Sequence, residues 1–134
     1  MKHLLALTLL VCLTSCATTS SKLATPGANW QTRTGQLAYR GPKMSLIGDV
    51  VVRTSPSGDM ELTFSKAPAL TLITVNQTAD FGRVSGPLAR GSWSGNPANA
   101  PHHLRGWFAL REKILAGGLS VKVSSEGETF NLRF

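Results

Sequence analysis

The body of this chain has no cysteine. Both cysteines, Cys12 and Cys16, fall within the first sixteen of 134 residues, so what folds beyond them is built without a disulfide framework. Acids are scarce as well: seven Asp and Glu stand against fourteen Lys and Arg, a formal charge of +7. Asp49, Asp59, Glu61, Asp80, Glu112, Glu126 and Glu128 are spread over expected turns and outward strand faces. Their one close pair, Asp59 and Glu61, reads as a solvated sheet surface. Past His3 the only histidines are His102 and His103, and helical neighbours point about 100° apart, so they do not chelate one metal from one face. No Cys/His spacing suits zinc, no Gly-x-Ser-x-Gly elbow occurs and no Walker-type loop is present. The expectation is a protein without metal or cofactor, and not an enzyme. The twelve cations from Arg33 to Arg133 form no run of five or six, which makes an even positive field and gives no reason to expect a nucleic-acid partner.

What is present begins at the N-terminus. Lys2 and His3 precede an apolar stretch, residues 4–11, broken only by Thr8 and too short to span a bilayer. Leu13-Thr14-Ser15-Cys16 follows directly. This arrangement resembles a bacterial lipoprotein signal with its lipobox. The resemblance implies cleavage between Ser15 and Cys16, lipidation of the Cys16 thiol, acylation of the new amine (palmitate-type chains) and anchorage to a membrane of the cell envelope. Ala17, in place of Asp, implies the outer membrane, with the protein facing the periplasm. Removal of residues 1–15 would take Cys12 and Lys2 away and leave a charge of +6. Anionic lipid head groups are then the natural counter-charge.

Residues 16–29 read as the lipidated cysteine and a flexible tether, rich in Ala, Ser, Thr, Pro and Gly with Lys22 its only charge. Such a segment has an end-to-end distance on the order of 20 Å. From Trp30 to the end the pattern is a single antiparallel β domain. Alternation or apolar runs bounded by Gly, Pro, Asn and Asp mark strands at residues 36–40, 43–54, 59–65, 69–77 and, more weakly, 80–90, with the sheet ending near Trp93. Residues 43–54 and 69–77 are apolar on both faces, which predicts cover on both sides for part of their length. Met60, Leu62 and Phe64 point inward from the third strand. The period then changes, and residues 101–115 form the one expected helix, capped by Asn99 and stopped by Gly117-Gly118. Its apolar arc of about 160° contains Leu104, Trp107, Phe108, Leu110, Ile114 and Leu115. A final hairpin turns at Ser125-Glu126-Gly127-Glu128, with Leu119, Val121 and Val123 opposite Phe130, Leu132 and Phe134. The fold expected is mainly β: a curved, half-open, barrel-like meander of about six or seven strands with one amphipathic helix packed on it. The ending Phe130, Leu132, Phe134 also suits the closing strand of a membrane barrel, but the polar outer face of residues 59–65 and the inserted helix do not.

Arg111 falls inside the apolar arc, between Trp107 and Leu115. A cation there either pairs internally, with a carboxylate such as Glu61 or with backbone carbonyls, or anchors an anionic group entering a groove between helix and sheet. Leu62, Phe64, Trp93, Trp107, Phe108 and Arg111 are the residues expected to line that groove. With the lipobox, the tether, Trp30, Gly35-Gln36-Leu37-Ala38-Tyr39-Arg40 and Gly86-Pro87-Leu88, the chain resembles the LolB-type outer-membrane lipoprotein receptors. That resemblance implies an incompletely closed barrel whose apolar cavity takes the acyl chains of lipoproteins handed over by a soluble carrier. One helix stands here where that family has several. A structural or assembly lipoprotein that binds another envelope protein is the competing expectation.

Overall fold

The computed structural model describes residues 23–134; the expected cleavage site at Ser15 and Cys16 lies outside the described residues. Eight strands form one sheet: β1 (Gln31–Arg40), β2 (Ser45–Thr54), β3 (Met60–Ala67), β4 (Leu70–Gln77), β5 (Gly82–Gly86), β6 (Gly91–Gly95), β7 (Ser120–Ser125) and β8 (Glu128–Arg133). Their spatial order is β6-β5-β4-β3-β2-β1-β8-β7, with every pair antiparallel. The sheet curves without closing, and the helix α1 (His102–Leu115) packs on it.

Local chemistry explains both the agreements and the departures. The meander follows sequence order until β6, because each connection is short and neighbours pair first. Only the last hairpin crosses, β8 adding beside β1 through Leu37↔Leu132 and Tyr39↔Phe130. Its loop places Glu126 at φ 52 and Gly127 at φ 79, the left-handed pair that a tight two-residue hairpin needs. The weak strand expected over residues 80–90 is two pieces: after β5, Gly86 at φ 125 and Pro87 begin a 3-10 turn (Pro87–Ala89), and Arg90 at φ 58 leads into β6. Pro87 has no N–H to give a ladder, so pairing stops there. Trp93 lies in the middle of β6, an edge strand.

Three expectations are corrected. β1 starts at Gln31, five residues earlier than its apolar alternation shows, because Gln31 to Gly35 pair with β2 from Thr54 to Val50 along their whole length. β2 is covered on one face only: Val50 and Val52 are buried while Ile47 is 62% exposed, and Leu70 on β4 is likewise open at 49%. The helix cap is not Asn99, which ends a second 3-10 turn (Pro97–Asn99); Asn96 caps that turn through Oδ1 to Ala98 N–H at 2.9 Å, and α1 starts after Pro101.

The core lies between the concave sheet face and α1. Leu37, Val50, Val52, Met60, Leu62, Phe64, Ile73 and Val75 rise from the sheet to meet Leu104, Trp107, Leu110 and Ile114. Leu115, the far end of the expected arc, is 38% exposed, and Leu119, expected to face inward with Val121 and Val123, precedes β7 and is 74% exposed. Helix and sheet approach closely at two glycines. A Cβ on Gly106 would come within 2.4 Å of the Phe130 ring, and one on Gly82 within 2.4 Å of the Phe108 ring. Gly106 thus weakens helix propensity by about 1 kcal/mol but lets the Phe130 ring pack directly against α1.

Candidate functional site

Five of the six residues expected to line a groove, Leu62, Phe64, Trp93, Trp107 and Phe108, are brought together as packing partners in or against the core, whereas Arg111 is not part of that cluster. Leu62, Phe64 and Trp107 are buried to 1% exposure or less. The Trp107 indole touches three rings, with centroids 5.4 Å from Tyr39, 5.9 Å from Phe64 and 4.9 Å from Phe130. Trp93 meets Phe108 edge-on at 5.5 Å. These are the spacings of packed aromatic cores, each pair adding about 0.5–1.5 kcal/mol beyond its buried area.

Arg111 resolves its two internal options in favour of backbone. Its Nε donates to the Gly58 carbonyl oxygen at 2.9 Å, across the turn between β2 and β3. Glu61 instead lies 3.8 Å from Arg53 Nε, on the outer face. The Arg111 guanidinium therefore lies beside the 55–58 turn, in a surface depression that it shares with Ile114 and Leu115.

Polar chemistry gathers elsewhere, at a cleft of about 230 Å³ lined by Tyr39, Leu88, Arg90, His102, His103 and Glu128, among others. Tyr39 donates its hydroxyl to Glu128 Oε2, a bond between β1 and β8 beneath the start of α1. Glu128 is only 6% exposed, and its Oε1 has no hydrogen-bond partner. Burial pushes its carboxyl above the usual carboxylate range, against the opposing pull of Tyr39, His103 and Arg90. Burial and Glu128 together push the Tyr39 phenol up as well. At the rim, Glu126 Oε1 sits 3.2 Å from His102 Nδ1 and 3.4 Å from Arg105 Nη1. The His102 contact holds Glu126 below the usual range. The cleft can accept a hydrogen bond from, or exchange a proton with, a small polar group reaching Glu128 Oε1.

Reading acids one at a time misses Glu128, although the signal is present. Phe130 and Leu132 face inward, and a period of two puts Glu128 on that same face. Tyr39, the only tyrosine, is inward by the same rule next to Leu37. A second buried polar group, Gln77, donates Nε2 to the Phe108 carbonyl at 3.3 Å and so ties β4 to α1.

The Tyr39–Glu128 bond has a pH signature. The folded state holds the Glu128 proton more tightly than the unfolded chain does, so this group's contribution is greatest below the ordinary carboxylate range and is lost as pH rises through the raised value. Tyr39→Phe removes a bond that lowers that pKa and leaves a second buried oxygen unpartnered. The expected cost is about 1–3 kcal/mol near neutral pH, shrinking at about pH 4, where the carboxyl is protonated. Thermal melts of both proteins across pH check it; a cost that does not vary with pH would mean that the Tyr39 bond does not discriminate between the charged and neutral forms of Glu128.

Among the described residues, no group of three or more His, Cys, Asp or Glu is placed to hold a metal ion, and no helix is long and apolar enough to cross a membrane. The chain matches no protein-family model, and no curated protein matches it significantly.

Proposed function

We propose that this chain is a lipid-anchored lipoprotein of the bacterial cell envelope, held at Cys16 to the outer membrane, whose β domain works in the periplasm by binding rather than catalysis. The run Leu13-Thr14-Ser15-Cys16 behind a short apolar segment carries the anchor. For the work of the domain, the filled concave face is the observation that supports the choice. An acyl chain needs an apolar cavity, and the space where LolB-type receptors would hold one is taken by Trp107, Phe64, Leu62 and Phe108. Opening it would mean lifting α1 off the sheet. This packing supports the structural or assembly role, in which the domain docks on another envelope protein.

The free apolar side chains fit that role. Met44, Ile47 and Leu70 are all about half exposed or more. They share the end of the sheet where β1 turns into β2 and β3 into β4. Lys66, on the same end, donates Nζ to the Ile47 carbonyl at 3.0 Å. Titration of the purified protein with palmitate, followed by calorimetry, is expected to give no saturable heat. Saturable one-to-one binding would overturn the choice and restore acyl-chain handling.

A further inference from the structure

At the end of the sheet opposite Met44, Ile47 and Leu70, the chain arrives from its N-terminal segment. Gln31 pairs with Thr54, which places the start of β1 beside the turn that joins β2 to β3. Here lies a depression of about 490 Å³ lined by Arg33, Arg111, Ser55, Ser57, Pro56 and Leu115, among others, and no lining residue is acidic. Both guanidiniums are held in place through backbone. Arg33 Nη2 donates to the Gly118 carbonyl at 2.7 Å while its carbon lies 3.8 Å from the centre of the Phe134 ring. Arg111 is fixed on Gly58 as described above. Each uses one of five N–H groups in these bonds, so both retain donors for an anion. Asp59 reaches the rim only through Ser55 and Ser57, whose hydroxyls lie 3.2 Å from its Oδ2.

Next to the two arginines stands an uncharged stretch, Leu115-Ala116-Gly117-Gly118-Leu119, in which every residue is exposed. Leu119 is the most exposed of the large apolar side chains, at 74%. Lys113 in the last helical turn and Arg133, paired with Ser120, flank it. Two fixed cations beside protruding leucines form the chemistry of a surface that meets anionic head groups and the acyl boundary under them. The expected tether back to Cys16 joins the domain at the same end, and its average span of about 20 Å keeps this face near the anchoring membrane.

We infer that the Arg33–Arg111 end of the domain, with Leu119, docks on the anionic lipid surface that holds the anchor, leaving the Ile47 and Leu70 end turned toward the periplasm. This rests on the lipid-anchored reading for its geometry. It is tested separately from that reading.

Full chain purified from membranes is reconstituted in vesicles of phosphatidylglycerol and, in parallel, of phosphatidylcholine, and amide hydrogen exchange is followed by mass spectrometry. Exchange at residues 55–58 and 115–119 is expected to slow in phosphatidylglycerol and to recover at high salt. Arg33→Gln with Arg111→Gln should weaken docking by about fivefold per cation. Because those arginines also brace two turns, Leu119→Ser serves as the second variant: it disturbs nothing buried and should weaken docking by about tenfold. Equal exchange in both lipids, or full protection retained by Leu119→Ser, would overturn the inference. The same protection from inorganic phosphate without vesicles would overturn it too, by making the depression a site for soluble anions. Intact mass on the same samples separates the two claims. A lipidated protein without lipid-dependent protection loses the docking and keeps the anchor, whereas protection in a protein without added lipid keeps the docking and loses the anchor.

Discussion

Trp107→Ala is expected to remove most of the cooperative stability of the domain. The indole is 1% exposed and sits where three aromatic rings from β1, β3 and β8 converge. Truncating a buried Trp costs about 3–5 kcal/mol, because the lost transfer energy is joined by a cavity the neighbours cannot fill. A domain of this size has about 5–15 kcal/mol in total. Relaxation here is further restricted: Phe130 is pinned against Gly106, and Phe64 and Leu62 are wholly buried. Urea or thermal unfolding followed by tryptophan fluorescence and circular dichroism checks this. The variant should show a midpoint shifted far toward lower denaturant, or a broad transition. An unchanged midpoint would mean that α1 is not part of the folding unit, and with it the reason for calling the concave face filled would disappear.

Sequence pattern carries far where burial is one-sided. Met60, Leu62 and Phe64 alternate with Glu61, Thr63 and Ser65, and the structure buries the first three on the concave face. The last hairpin is legible for the same reason, with Val121↔Leu132 and Val123↔Phe130 in the expected pairs. Pattern fails where side-chain identity does not report burial. The first half of β1 is Gln-Thr-Arg-Thr-Gly, polar throughout, and is a strand because backbone pairing with β2 satisfies it and because Arg33 lays its guanidinium over Phe134. Conversely Ile47 and Met44 are apolar and exposed, since at the end of the sheet neither the helix nor another layer lies above them.

The site was legible in its parts and not in its assembly. Arg111 stands out on the helical wheel, and reach to a backbone carbonyl is one of its plain options. What the wheel cannot show is that Gly58 from one turn and Gly118 from another, 60 residues apart in sequence, each hold a guanidinium on the same end of the sheet. That depends on β8 crossing to pair with β1, which brings residues 118–119 and 134 beside Arg33. The same crossing puts Glu128 under Tyr39. Each of these placements is a consequence of one non-sequential pairing.

The two ends of β1 consequently differ in chemistry. Ten extended residues separate them by about 33 Å. One end carries the arginine-lined depression and leads back toward Cys16; the other carries Met44, Ile47, Leu70 and the Glu128 cleft. A protein fixed to a membrane at its first end has its second end free for a partner, and so the role proposed for the domain depends on the anchor.

Cys16→Ser is accordingly the substitution expected to change the protein's place in the cell most. A thioether to diacylglycerol and an acylated amine would give two or more chains, and each buried CH₂ contributes about 0.8 kcal/mol, so a fully lipidated protein is expected to stay stably on its membrane. Serine offers no thiol to lipidate, and a lipoprotein signal without its cysteine is no longer a substrate for the cut before position 16. Wild type should be recovered with the membrane after high-salt and carbonate washes, with an intact mass equal to residues 16–134 plus three acyl groups and glycerol. The variant should appear as the uncut chain of 134 residues, or as a protein cut elsewhere and released into the soluble envelope fraction. The salt wash matters, because the proposed docking through Arg33 and Arg111 would be weakened by it, whereas anchorage through acyl chains would not. A wild type carrying no added mass and an uncut N-terminus would remove the anchor and, with it, the membrane address on which the proposed role stands.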